Sequence, residues 1–169
     1  QIGIFPPFLF NDDQWDGYPA ERQKITDHIL NNNIPNFVVL TGDIHTAWAN
    51  DLPTSNYNSS TGSGSFGVEF VTPSVTSPAL EVGGVSLNLP PAIIQAANPH
   101  NKFVNTTERG FFILDINKSR TQADWFFINT IQEVDSSYSY AESWYVLEQE
   151  RHLNGAGSAS QPKNGINAP

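Results

Sequence analysis

The chain has 169 residues, of which 8 are Lys or Arg and 17 are Asp or Glu, giving a formal net charge of -9 at pH 7. This length allows one ordinary domain with a core and is too short for two. So few basic residues argue against a nucleic-acid-binding patch, because binding to a phosphate backbone needs clustered Lys and Arg. The sequence contains no cysteine, which excludes disulfides and thiolate metal sites.

The N-terminal segment is apolar, but it does not predict a membrane span. Residues Ile2 to Phe10 are too few and too interrupted by proline to cross a bilayer, and they lack the basic flank of a signal peptide. The absence of methionine favours a processed chain, or one that begins in the middle of a fold.

The first regular element is a predicted helix over Pro19–Asn31. Proline suits the first turn, Glu21 favours the positive end of the helix dipole, and Ile25, Ile29 and Leu30 repeat at helical spacing. A short connection then leads to an apolar run, which is typical of an αβ unit.

A buried strand is predicted next, and the most informative motif follows it. Phe37–Leu40 is an unbroken apolar run, the pattern of a strand covered on both faces. Gly42 lets the chain bend, so Asp43 and His45 emerge at the carboxyl end of a strand, where open α/β sheets place ligands and metals. Both residues are therefore candidate metal ligands. The alternative is structural: Asp43 caps a helix that begins near Thr46, and His45 hydrogen-bonds to a neighbour.

The rest of the chain predicts mainly strands and loops. Composition indicates a surface loop over residues 50–64 and a flexible tail that cannot bury enough apolar surface. The chain is therefore divided into a domain over residues 1–152 and a tail over residues 153–169. Between them, the pattern predicts a strand at Gly67–Val71, a short helix started by Pro90 and Pro91, a hairpin of Gly110–Ile116 with Gln122–Ile131, and a segment at Ser139–Val146 that is either strand or helix.

Two further clusters have both a structural and a functional interpretation. Asp16 and Gly17 form a turn signal before the predicted helix, and helix starts of this kind also attract anions. His100 follows a proline in a predicted loop. It is either an ordinary exposed residue or a pocket residue that reaches the same end of the sheet as His45.

Five sequence blocks, taken together and in this order, resemble one family, the alkaline phosphatase D (PhoD-like) metallophosphatases. The blocks are collinear over roughly residues 13–130, which argues against a chance match. They are DQWDGYPAERQ at 13–23, VVLTGDIHTAWANDL at 38–52, GVEFVTPSVTSP at 67–78, NPHNKFV at 98–104, and RGFFILDI with QADWFF.

The resemblance implies an α/β fold in which this chain is the C-terminal half of a two-sheet αββα metallophosphoesterase sandwich. It also implies a secreted or periplasmic alkaline phosphatase or phosphodiesterase that uses Fe³⁺ and Ca²⁺, or other divalent metals. By the same resemblance, His45 is the best metal ligand and catalytic candidate, with Asp43 as a second ligand or as the group that orients the imidazole. Asp16 and His100 are then candidate substrate-binding residues.

The chain departs from the family pattern in one respect. Family members are longer, and their acidic blocks of the GDYIY and DDHE type have no counterpart here. The resemblance therefore implies that a second chain or a missing segment carries the N-terminal half and completes the site for a small phosphoester substrate. The alternative, from a different class, is a non-catalytic secreted binding module that kept the scaffold and lost the metal-bearing half.

Overall fold

The protein is a mixed α/β structure with two four-stranded sheets and few helices, in a computed structural model that describes residues 14–79, 81–82, 85–86 and 90–162. The α/β class is confirmed, and the αββα sandwich arrangement stays a prediction. The helices are a 3-10 turn (Trp15–Gly17), α1 (Pro19–Asn31) and α2 (Pro91–Ala97). The strands are β1 (Val38–Thr41), β2 (Ala47–Pro53), β3 (Ser65–Val71), β4 (Glu81–Val82), β5 (Val85–Ser86), β6 (Asn101–Asn105), β7 (Gly110–Ile116), β8 (Arg120–Ile128), β9 (Tyr138–Leu147) and β10 (Asn154–Gly155).

Helix α1 begins and ends at the residues that the sequence predicts. Pro19 occupies the first turn, where a backbone N–H would have no helical acceptor. Ile29 anchors the helix by packing against Leu52 and Phe66 on one face of the first sheet. Among the described residues, no helix has the length and apolar character that crossing a membrane requires.

The first sheet has the strand order β1-β3-β2-β6, so β1 is an edge strand within the described part of the chain. Strand β1 runs parallel to β3, whereas β2 is antiparallel to both of its neighbours. Phe37 and Val39 pack toward α1, but Leu40 is 54% exposed. On the opposite face, Val38 packs against the core between the two sheets. The prediction that Phe37–Leu40 is covered on both faces is therefore confirmed at the start of the run and wrong at Leu40, because an apolar run does not reveal where the covering layer ends.

The second sheet has the order β10-β9-β8-β7 and is antiparallel throughout. The predicted hairpin is confirmed as β7 and β8. The side-chain oxygen of Asn117 accepts the backbone N–H groups of Ser119 and Arg120, which closes the turn between these strands. The ambiguous segment near residues 139–146 is strand β9.

The two sheets pack against each other over a shared hydrophobic core. Ala49 and Phe70 of the first sheet contact a cluster that includes Trp125 and Val146 of the second. The buried indole N–H of Trp125 donates to the backbone carbonyl of Val71 at 3.1 Å, which ties the sheets together with a hydrogen bond. Helix α2 covers part of the opposite face of the first sheet.

Part of the predicted surface loop is instead a buried strand. Asn50 and Asp51 lie within β2, with exposed fractions of 1% and 0%. Their side chains are buried because other polar groups of the fold satisfy them. Composition alone cannot distinguish that arrangement from a loop in water, so the prediction was wrong at this point.

The segment predicted to be a flexible tail contacts the second sheet over its described part. Leu153 is buried, and Asn154–Gly155 pair with β9. The backbone N–H of Ser160 donates to the buried carboxylate of Asp124 at 2.9 Å. Residues 163–169 lie outside the described residues, and the division of the chain at residue 152 stays a prediction.

Candidate functional site

The Gly-Asp-Ile-His segment forms a strained turn between β1 and β2. Asp43 has a φ of 76° and His45 a φ of 61°, in the left-handed region that non-glycine residues seldom adopt. Strand β2 begins at Ala47, so the alternative that Asp43 caps a helix near Thr46 is wrong. Left-handed non-glycine residues cluster at functional sites. We call this edge of the first sheet, formed by Thr41, Asp43 and His45, the His45 end.

The ring of His45 is oriented by a backbone carbonyl. Its Nδ1 lies 3.0 Å from the carbonyl oxygen of Pro78. Because a carbonyl only accepts, the neutral ring carries its proton on Nδ1 and keeps the Nε2 lone pair. Metal-binding histidines are typically held in this way through their second nitrogen. The orienting group is thus the carbonyl of Pro78, whereas Asp43 has an exposed side chain.

The segment that carries Pro78 is itself anchored by the start of β7. The Nε of Arg109 donates to the carbonyl of Ser77 at 3.1 Å, and the backbone N–H of Gly110 donates to the carbonyl of Ser74 at 2.9 Å. Sequence reasoning did not single out Arg109 as a site residue. Its signal in the sequence is the Arg-Gly pair just before β7, a pattern that by itself indicates only the start of a strand.

Asp16 is bound to the helix that it precedes. Its carboxylate pairs with the guanidinium of Arg22 at 2.5 Å, and burial raises its pKa while Arg22 counteracts that shift. Trp15 and Tyr18, which belong to the same Trp-Asp-Gly-Tyr motif as Asp16, line a cavity of about 470 Å³ together with Asp43. The Trp-Asp-Gly-Tyr motif and the His45 end therefore meet at one cavity, through the aromatic residues. A substrate-binding role for Asp16 stays a prediction.

His100 lies at the other end of the first sheet. Its backbone carbonyl accepts the N–H of Asp51 at 2.9 Å, and Asp51 is separated from Ala47 by roughly 13 Å along β2. The expectation that His100 reaches the same end of the sheet as His45 is wrong, because antiparallel pairing places the start of β6 beside Asn50. Burial, reinforced by the positive charge of Lys102, lowers the pKa of His100 to about 4.

The His100 end of the sheet is a closed network around the carboxylate of Asp51. Tyr57 donates its hydroxyl to this carboxylate at 2.7 Å, the backbone N–H of Leu153 donates at 2.7 Å, and the ammonium of Lys102 lies 3.4 Å away. Burial raises the pKa of Asp51, and these three contacts counteract the shift. Because the partners come from distant parts of the chain, the network holds the fold together.

A buried glutamate links the two ends through the sheet. Glu69, fully buried on β3, accepts the hydroxyl of Thr41 at 2.8 Å and the amide of Asn50 at 2.9 Å. Asn50 in turn accepts the amide of Asn101 at 2.6 Å. The sequence signal for this residue was a single acidic residue in an otherwise apolar strand, Gly67–Val71.

The described residues supply part of a metal site. No group of three or more His, Asp or Glu side chains among them is placed to hold an ion together. His45 fits as one ligand, since its ring is oriented through Nδ1, and the exposed carboxylate of Asp43 lies on the same turn. A two-metal site needs several more carboxylates, imidazoles or amides. The donor set thus matches one portion of such a site.

The chain belongs to the PhoD-like phosphatase family, whose model matches residues 6–125. It is 31% identical over 152 residues to alkaline phosphatase D of Bacillus subtilis (strain 168), a match that covers 90% of this chain and 25% of that protein. A solved structure of PhoD matches with a TM-score of 0.68 and 28% identity, covering 91% of this chain and 28% of the other. The chain spans about a quarter of the length of these relatives.

Proposed function

We propose that the chain contributes to a metal-dependent phosphoester hydrolase, an alkaline phosphatase or phosphodiesterase, with the His45 end as its share of the active site. The observation that carries this proposal is the hydrogen bond from His45 Nδ1 to the carbonyl of Pro78 at 3.0 Å. It leaves Nε2 available as a ligand in the neutral ring. Membership of the PhoD-like phosphatase family supports the same reaction class.

In this proposal, each group at the His45 end has a distinct task. His45 holds an ion through Nε2, and Asp43 provides a second oxygen ligand. A bound iron or calcium ion would supply an activated hydroxide and neutralise charge on the phosphoryl oxygens. Arg109 fixes the carbonyl that orients His45, through its bond to Ser77, and places a positive charge near the site of a protein whose net charge is -9.

The remaining metal ligands would come from a second chain or from another segment of the same protein. Two observations support this part of the proposal. The edge strand β1 leaves Leu40 54% exposed, although this strand has the apolar composition of a covered one. The relatives are about four times as long as the stretch that this chain matches. Intact mass and a denaturing gel of the purified protein would reveal the additional polypeptide.

The test of the proposed site is His45→Ala, with metal content and hydrolysis of para-nitrophenyl phosphate measured on the same samples. We expect bound metal to fall and turnover to decrease roughly 100-fold or more, because a ligand is removed. His28→Ala is the matched control, since His28 lies on an exposed face of α1 and bonds to Asn32. Full metal occupancy in His45→Ala would refute the ligand role.

A second candidate is a non-catalytic secreted binding module on the same scaffold. The observation that favours it is that the described residues contain no group of three metal-binding side chains. Purified protein that is metal-free and inert toward para-nitrophenyl phosphate, even with added Fe³⁺ and Ca²⁺, would support the module over the enzyme. Both candidates place the protein outside the cytoplasm, secreted or periplasmic, which cell fractionation with an antibody to this chain would test.

A further inference from the structure

A cavity adjoins the His45 end and shares Asp43 with it. It lies between the start of α1 and the end of β1, has a volume of about 470 Å³, and is bordered by Thr41 and Asp43 on the sheet side. This volume lies within the range of small-molecule sites, about 300 to 1,000 Å³. The cavity can therefore hold an organic group attached to a phosphoryl group at the His45 end.

The helix side of the cavity is apolar. Trp15, Tyr18 and Ile25 line it, and Trp15 also packs against the hydrophobic cluster around Ile29. Tyr18, the residue before α1, and Ile25 within α1 are 56% and 38% exposed. Large apolar side chains that face a concavity rather than the core are typical of ligand sites.

The charged groups of the cavity are acidic. Glu21 and Asp43 line it, and its described lining contains no Lys or Arg. Glu21 forms an ion pair with Lys24 at 2.6 Å, and Arg22 pairs with Asp16 at 2.5 Å, so Asp43 is the acidic residue of the lining that has no ion pair within the described part of the chain. In the metal-free chain, an anionic group placed here would be repelled by the carboxylate of Asp43, whereas a metal ion bound by Asp43 would remove this repulsion.

We propose that the cavity binds the apolar alcohol portion of the phosphoester substrate. This inference rests on the proposed function, since it takes the His45 end as the place where the phosphoryl group is bound. The preferred substrates are then esters of apolar or aromatic alcohols.

The experiment measures binding of three one-ring probes to the metal-free 169-residue chain by saturation-transfer NMR: benzyl alcohol, benzyltrimethylammonium and benzenesulfonate. The probes share a ring and differ in charge. We expect the neutral and cationic probes to bind with roughly millimolar dissociation constants, and the sulfonate to bind at least fivefold more weakly, on the order of the repulsion by one carboxylate. Binding of the sulfonate equal to or tighter than that of the alcohol would overturn the inference.

Substitutions in the wall of the cavity test where the probes bind. Tyr18→Ala should weaken benzyl alcohol binding about fivefold or more, because one wall of the cavity is removed. Tyr138→Ala is the matched control, since Tyr138 is also 56% exposed but packs against Phe111 and Phe126 on the second sheet. Should Tyr18→Ala fail to fold, Ile25→Ala takes its place. Absence of binding, or binding unchanged by both cavity variants, contradicts the inference.

The same measurement separates this inference from the proposed function. Probe binding needs neither a metal ion nor hydrolysis, so it should persist in His45→Ala. Binding without metal or turnover would keep the cavity and remove the phosphatase proposal. Turnover that depends on His45, with no probe binding at Tyr18, would support the phosphatase proposal and contradict the cavity inference.

Discussion

The two ends of the first sheet each carry an aspartate and a histidine, and they differ in almost every physical respect. At the His45 end, Asp43 is exposed and both residues have left-handed backbone conformations. At the other end, Asp51 and His100 are 0% and 5% exposed. The carboxylate there accepts two hydrogen bonds at 2.7 Å and lies beside the ammonium of Lys102.

The difference separates residues that are available for chemistry from residues that stabilise the fold. A buried carboxylate with all of its partners in place cannot bind an ion without first breaking them. An exposed carboxylate on a strained turn has no hydrogen bonds of this kind to break and can bind an ion directly. The same two residue types thus serve structure at one end and, in our proposal, metal binding at the other.

The largest expected effect compares the two aspartates directly. Asp51→Asn should lower the free energy of unfolding by about 3 kcal/mol, because Tyr57 and Lys102 lose a charged partner in a buried site. Asp43→Asn should change it by no more than about 0.5 kcal/mol, since the side chain is exposed and asparagine tolerates left-handed conformations. Urea denaturation of both variants measures the difference. Equal losses in the free energy of unfolding would contradict the distinction between the two ends of the sheet.

The next largest effect depends on pH and concerns His100. Its pKa is about 4 in the folded protein and about 6.5 in an unfolded chain. At a pH between these two pKa values, the unfolded state binds a proton at this histidine and the native state does not. The free energy of unfolding therefore falls as the pH falls from about 6.5 to about 4. The limit of this loss is roughly 3 kcal/mol, at about 1.4 kcal/mol per pKa unit.

The control for this pH dependence is His100→Gln, whose stability should change less with pH over the same window. The raised pKa of Asp51 has the opposite sign, because the native carboxyl then binds protons more readily than the unfolded one just above its ordinary pKa. Both proteins retain Asp51, so comparing their slopes isolates the histidine. Identical slopes for the two proteins would show that His100 is not buried in the neutral form.

Local patterns predicted a good part of the fold. The bounds of α1 follow from Pro19 in the first turn and the asparagines after Leu30, and the hairpin of β7 and β8 follows from two β-rich runs around Asn117. These features depend on residues close together in the chain. The Asp-x-His turn was located by the same kind of local argument, from a glycine after an apolar strand.

The parts that could not be predicted depend on partners far along the chain. Local composition predicts a loop at Asp51, because nothing in its neighbourhood indicates that Leu153, 102 residues later, donates to it. The same holds for the described part of the predicted tail, where Ser160 bonds to Asp124, 36 residues earlier. Local sequence cannot predict the end of the sheet at which His100 lies, because the direction of β6 is set by its pairing with β2.

A smaller effect sharpens the account of the buried network. Tyr57→Phe removes the hydroxyl that donates to Asp51 at 2.7 Å and retains the ring, over which the ammonium of Lys102 lies at 5.7 Å. We expect a loss of about 1 to 2 kcal/mol in the free energy of unfolding, as for a hydrogen bond to a charged group. Thermal and urea denaturation measure it. A loss as large as that of Asp51→Asn would mean that the other contacts of this carboxylate contribute little.

The smallest effect tests whether the strained turn has a function or is merely tolerated. Asp43→Gly should raise the free energy of unfolding by less than about 1 kcal/mol, because glycine adopts positive φ without steric cost. Gln149→Gly is the matched control, since Gln149 is also exposed and has a φ of 70° against 76° for Asp43. Both variants should gain similar stability, but only Asp43→Gly should lose bound metal, because only that turn presents a carboxylate beside His45. If metal content is unchanged in Asp43→Gly, the carboxylate is not a ligand, and the strain at this turn serves only to aim the imidazole.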